Sequence, residues 1–136
     1  MSIYGLTKGT ELEKVVSGAA QAEANGTMVY YALARLAREQ GLEEVAEKFI
    51  EIANQEAVHA GFYAVLNGQY PKDFWTLAVS MQKAEEKGEG QVLEIAAKVR
   101  ALGCEEAAGE IEFFAAQEKN HGVILGELME KYCPQE

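Results

Sequence analysis

Displaced by 62 residues, the sequence lies over itself without a gap. From Ala22 to Leu66 the residues that return unchanged include Ala22/Ala84, Glu23/Glu85, Gly26/Gly88, Ala34/Ala96, Arg38/Arg100, Gly41/Gly103, Glu43/Glu105 and Glu44/Glu106. Ala46/Ala108, Ala53/Ala115, Gln55/Gln117, Glu56/Glu118, His59/His121 and Leu66/Leu128 follow. A fixed period of this length marks a duplicated supersecondary unit, so the two halves should fold alike. At 136 residues, both halves together suit one domain, 1–136, with one core.

Each half reads as a helical hairpin. The chain is rich in Ala, Glu, Leu and Lys, all strong helix formers, and has only two prolines. Leu12, Val16, Ala19, Glu23, Gly26, Tyr30, Leu33 and Ala37 keep the three-to-four spacing of a helix face turned to a core. Thr10 with Glu13 can form a capping box, and Gly41 supplies a stop, which predicts a first helix over 11–40. A second over 42–66 ends before the breaker pair Asn67-Gly68. Pro71 and a capping Asp73 precede a third over 74–102, whose Met81, Glu85, Gly88, Val92, Ile95, Val99 and Leu102 repeat the stripe. The fourth covers 104–132. The expected fold is an all-α four-helix bundle of two repeated hairpins.

Composition removes several functions. The net charge is −10 and no Lys/Arg cluster could track a phosphate backbone, which argues against nucleic acid and against an anionic membrane surface. MSIYGLTKGT lacks the basic-then-apolar run of a secretory signal, and no stretch approaches the ~20 apolar residues of a membrane span. A cytoplasmic protein is expected. Cys104 and Cys133 are too few for a disulfide framework or a cysteine zinc site, and Cys104 reads as a helix-start residue.

The chemistry sits on the stripes. The sequence has two histidines, His59 and His121, and each has glutamate three residues before it (Glu56, Glu118) and again 36 before it (Glu23, Glu85). Residues three apart on a helix project to one side, so Glu-x-x-His offers a carboxylate and an imidazole to a common point. Two such turns, with one glutamate from each remaining helix, make the dimetal carboxylate site of ferritin-like bundles. Four glutamates also balance two divalent ions. Without metal they would repel one another or take up protons on core faces where unpaired glutamate is rarely tolerated. Carboxylate-rich sites with open positions suit two iron ions, and the same donors admit manganese.

Glutamate, then Glu-x-x-His 33 residues later, given twice, resembles rubrerythrin and its ferritin-like relatives over nearly the whole chain. That resemblance implies a di-iron oxidoreductase reducing hydrogen peroxide, with Glu56 and Glu118 bridging the irons. It makes Glu23 with His59, and Glu85 with His121, the terminal ligands. Two departures stand out. Rubrerythrins usually carry a further carboxylate three residues after the third-helix ligand, where this chain has Gly88. Glu86-x-x-Glu89 has the family's local spacing, so a register using that pair stays open, although the gapless repeat favours Glu85. The family also commonly continues into a rubredoxin domain opening with Cys-Pro-x-Cys, whereas this sequence ends Cys133-Pro134-Gln135-Glu136. A rubredoxin iron needs four cysteines, so an external electron donor, such as a rubredoxin, is expected.

Tyr30, on the Glu23 stripe, can bond a ligand carboxylate, serve as a redox-active group beside the metals, or simply fill the core. Tyr63 reads as packing, and Phe74 and Trp75 as anchors of the third helix. Peroxide reduction is the leading expectation. Oxidation of iron(II) by oxygen, a ferroxidase activity, and non-enzymatic iron storage are the alternatives.

The connection between the second and third helices predicts a homodimer. In a ferritin-like bundle these helices run parallel, with Glu56 and Glu85 level. At ~1.5 Å per residue the second climbs about 15 Å above that level, and the third begins about 16 Å below it. The eight steps from Leu66 to Phe74 span at most about 26–29 Å against roughly 31 Å required. Exchange of hairpins between two chains removes the shortfall.

Overall fold

The computed structural model describes residues 1–135. Among them are four α-helices and no strand: α1 (Glu13–Glu39), α2 (Glu43–Leu66), α3 (Phe74–Ala101) and α4 (Glu105–Tyr132). The chain is all-α, as expected. It forms two compact units, Met1–Lys72 with α1 packed on α2, and a second beginning at Asp73 with α3 packed on α4. No described helix is long and apolar enough to cross a membrane.

The repeat is visible in how each hairpin turns. Past α1, Gly41 adopts φ 77°, its N–H donates to Arg38 O (3.0 Å), and Leu42 N donates to Ala37 O (2.9 Å). Past α3, Gly103 adopts φ 86°, its N–H donates to Arg100 O (2.8 Å), and Cys104 N donates to Val99 O (3.3 Å). These are two copies of one glycine-dependent C-terminal cap, which uses the left-handed region glycine enters freely. The basic residue of each turn then reaches across it. Arg38 Nε donates to Glu43 Oε1 at 3.0 Å, and Arg100 Nε to Glu105 Oε2 at 2.9 Å. Cys104 is the N-cap residue of α4, a helix-start position.

The helix starts are less uniform. Asp73 caps α3, its Oδ1 accepting from Trp75 N (3.2 Å) and its Oδ2 from Thr76 Oγ1 (3.0 Å). The expected Thr10/Glu13 capping box does not form. Leu12 holds the N-cap position of α1 without a side-chain cap. Thr10 Oγ1 instead accepts from Leu12 N (3.1 Å) and donates to Thr7 O (2.6 Å), closing a turn ahead of the helix. The turn belongs to an N-terminal segment pinned to the end of α2. Thr7 Oγ1 donates to Asn67 Oδ1 (2.9 Å), and Asn67 Nδ2 to Glu13 O (2.9 Å), with Asn67 buried. Asn67 therefore ends α2 and also ties three chain segments together.

Packing inside each hairpin rests on small residues. Ala34, Ala46 and Ala53 are buried, and so are their repeats Ala96, Ala108 and Ala115. Alanine at the seam lets two helix backbones approach closely. No large side chain among the described residues is fully buried. Phe49 and Ile50 lie partly buried against the alanine core of the first hairpin. Several large members of the apolar stripes stay open: Leu33, Met81 and Ile95 are exposed, the last at 52%. Phe62, Phe114 and Ile124 on the partner helices are exposed too. Each hairpin thus keeps an apolar face that neither of its own helices covers.

Candidate metal centre

Helical spacing brings the predicted ligands together three by three. In the first hairpin Glu23 comes from α1 and Glu56 and His59 from one turn of α2. One ligand atom from each lies within 4.8 Å of the other two. His59 Nδ1 stands 3.6 Å from Glu23 Oε1 and 3.8 Å from Glu56 Oε2. In the second, Glu85 from α3 meets Glu118 and His121 of α4 within the same limit. There His121 Nδ1 stands 3.4 Å from Glu85 Oε2 and 3.7 Å from Glu118 Oε2. The two triads agree to about 0.2 Å in these distances.

These separations suit a shared cation better than direct bonding. A hydrogen bond between nitrogen and oxygen prefers about 2.9–3.0 Å. Donors bound to one ion at about 2.1 Å stand roughly 3.0–3.5 Å apart, so modest closure brings each triad around a metal. The carboxylates are half-buried, whereas the imidazoles are the outer members, 55% exposed at His59 and 50% at His121. In the second triad the carboxyls crowd one another. A hydrogen bond with Glu85 raises the Glu118 carboxyl above its ordinary range, burial and the Glu85 charge add to this, and His121 opposes it. The donor set fits a divalent ion in each hairpin.

Neither Glu86 nor Glu89 joins a triad. Both line a groove of about 520 Å³ on the second hairpin with Gln82, Lys119, Gly122 and Glu127. Tyr30 lies two turns along α1 from Glu23, with its ring 6.0 Å from that of Phe49. Tyr63 is half-buried one turn beyond His59, edge-on to Phe62. Phe74 and Trp75 lie against each other at the start of α3, their rings tilted and 4.8 Å apart between centroids. Gly26 and Gly88, read in the sequence as stripe and repeat members, lie in the structure against the Glu56 and Glu118 carboxylates.

Comparison with known proteins bears on the family. A rubrerythrin family model matches residues 14–80. An uncharacterized protein of Methanocaldococcus jannaschii is 34% identical over 128 residues, covering 94% of this chain and 91% of that protein. A reverse rubrerythrin of Clostridium acetobutylicum is 30% identical over 132 residues, covering 94% of this chain and 72% of its own. No solved structure matches significantly. With two Glu-Glu-His triads on repeated helical hairpins, the chain belongs to the rubrerythrin family, whose domain is ferritin-like and di-iron.

Proposed function

We propose that the two triads close into a single four-helix site for two iron ions, and that this site reduces hydrogen peroxide to water in the cytoplasm. The carrying observation is the matched pair of triads, each with two carboxylates and one imidazole. The reaction consumes one peroxide, two electrons and two protons and releases two waters, the O–O bond being the one broken. Bound iron supplies Lewis acidity and one electron per ion. Glu56 and Glu118 would be shared by the two ions, and Glu23 with His59 and Glu85 with His121 would hold the outer positions. Manganese fits the same donors.

The remaining residues shape access and protons. Apolar side chains flanking the triads, among them Phe62, Phe114 and Ile124, exclude water once the hairpin faces are covered. Tyr30, two turns along α1 from Glu23, would in this reading orient a ligand carboxylate or carry an electron. In this reading electrons come from a separate donor such as a rubredoxin. Residues 1–136 act as one domain in this reading, assembled in a homodimer by hairpin exchange.

Mixing the diferrous protein with peroxide or with oxygen tests the reaction. Fast oxidation by peroxide and slow oxidation by oxygen supports it. The reverse order points to a ferroxidase, and accumulation of many irons per chain to storage; either result removes the peroxidase reading.

A further inference from the structure

The connection between the hairpins is held at one end by the start of the chain. Tyr4 Oη donates to Tyr70 O (2.7 Å), Gly5 N to Val65 O (3.0 Å) and Thr7 N to Leu66 O (3.1 Å). Thr7 is buried together with Asn67, to which it is bonded. Gly68 packs backbone on backbone: its φ is 57°, and a β-carbon there would stand 3.2 Å from Gly5 Cα. Under this segment the connection folds back on α2, Gly68 N donating to Val65 O (3.0 Å) and Gln69 N to Ala64 O (3.0 Å). Residues 67–73 stand at the repeat displacement from 5–11, so duplication alone would set them against the second hairpin. Residues 67–70 are instead bonded to α2 and to the start of the chain.

We propose that Tyr4–Thr7 is a strap that shortens the connection and so directs the two hairpins to exchange between chains. The inference rests on the closed two-metal site of the proposed function and deepens it, since each site then takes half its ligands from a second copy. With all eight steps from Leu66 to Phe74 free, the connection falls only a few ångströms short of the roughly 31 Å that one bundle requires. Strapped at Tyr70 it keeps four steps, which span about 13–14 Å. The fold-back at Gln69 recovers about one helical turn, roughly 5 Å, so about 12 Å is still missing. Closure within one chain would have to unwind the first turn of α3 and give up its Asp73 cap. Pairing with another chain keeps both, and leaves Pro71, Lys72 and Asp73 as the hinge.

The test inserts two Gly/Ser residues after Lys72 of the full chain, with the strap intact or released by Tyr4→Phe/Gly5→Pro. The introduced proline has no N–H for Val65 O and cannot adopt the φ of 70° found at Gly5. With the strap intact the lengthened connection has six steps, about 20–22 Å against about 26 Å, and sedimentation at micromolar concentration should give dimers. Released, it has ten, about 33–36 Å against roughly 31 Å, and should give monomers. The effective concentration of the two hairpins is near zero when the connection cannot span and about 1 mM when it can, so the monomer-to-dimer ratio should rise roughly a thousandfold. Six inserted residues with the strap intact should also give monomers, in a chain whose strap residues are unchanged. Equal ratios in the intact and released two-residue chains overturn the proposal. So do persistent dimers in the six-residue chain, or an unmodified chain that sediments as a monomer. Failure of the unmodified protein to bind ferrous ion sinks the two-metal reading instead, and sedimentation still decides the strap.

Discussion

Across the α3–α4 seam, Nδ1 of His121 stands 3.4 Å from Oε2 of Glu85, though the two are 36 positions apart in the chain. Glu118 completes the group, and its carboxyl is held above the ordinary value of 4.5, chiefly by the hydrogen bond with Glu85. A carboxyl with a raised value in the folded state stabilises the fold while it is protonated. That contribution is complete below about 4.5 and disappears as pH rises through the raised value. Metal-free protein should therefore lose stability from this site as pH climbs out of the ordinary carboxylate range. Glu118→Gln should flatten that part of the profile, and added ferrous ion should restore the neutral-pH stability. Chelator-treated protein melting at the same temperature as loaded protein at pH 7 contradicts the expectation.

Ligand substitutions should separate by role. If Glu56 and Glu118 bridge the ions as proposed, Glu56→Ala or Glu118→Ala should lower affinity for both by roughly a hundredfold or more, above the loss usual for an outer-sphere change. His59→Ala should mainly loosen one ion. Titration with ferrous iron, followed by counting bound metal, distinguishes these. Loss of binding in Glu86→Ala with retention in Glu85→Ala contradicts the triad geometry at Glu85.

The alanine seams should be intolerant in the same way in both hairpins. Ala46 and Ala108 are repeat partners and both are fully buried, so Ala46→Leu and Ala108→Leu each force side-chain volume between close backbones. Overpacking of this kind costs about 1–3 kcal/mol. Thermal unfolding should register a loss of several degrees in either variant. A neutral result at one position and a severe one at the other would break the structural equivalence of the halves.

How far the sequence carries depends on the range of each interaction. Gly41 and Gly103 announce their turns because the cap is local and needs a left-handed residue. Glu56 and His59 were readable as one ligand turn for the same reason, and the 62-residue repeat supplied Glu23 and Glu85. Thr7 and Asn67 were not readable as partners, since they meet across 60 positions with no period to link them. Thr10 misled because a hydroxyl before a helix serves a preceding turn as readily as the cap. The stripes named an apolar face but not what covers it. Within each hairpin the seam went to alanine, leaving Ile95 and Phe114 on the outside.

Those uncovered faces lead to the last prediction, that the protein is a dimer with exchanged hairpins. A helix pair whose fully buried apolar residues are small leaves large apolar side chains in water, and both hairpins carry such a face beside a candidate metal triad. The segment from Leu66 to Phe74 is short for a crossover within one bundle, spanning at most about 26–29 Å against roughly 31 Å. Pairing the first hairpin of one chain with the second of another needs no such reach and builds two closed sites per dimer. Sedimentation at micromolar concentration should give the mass of two chains. A monomer that still binds two irons contradicts the dimer outright. To isolate the exchange, a Glu23→Ala/Glu56→Ala chain and a Glu85→Ala/Glu118→Ala chain are unfolded, mixed in equal amounts and refolded together. In an exchanged dimer the mixed species joins the intact first hairpin of one chain to the intact second hairpin of the other. Random pairing then makes about half of the dimers mixed, each with one good site of two, so about a quarter of the sites should recover iron. If every chain builds its own site, each bundle contains one damaged half and none recovers.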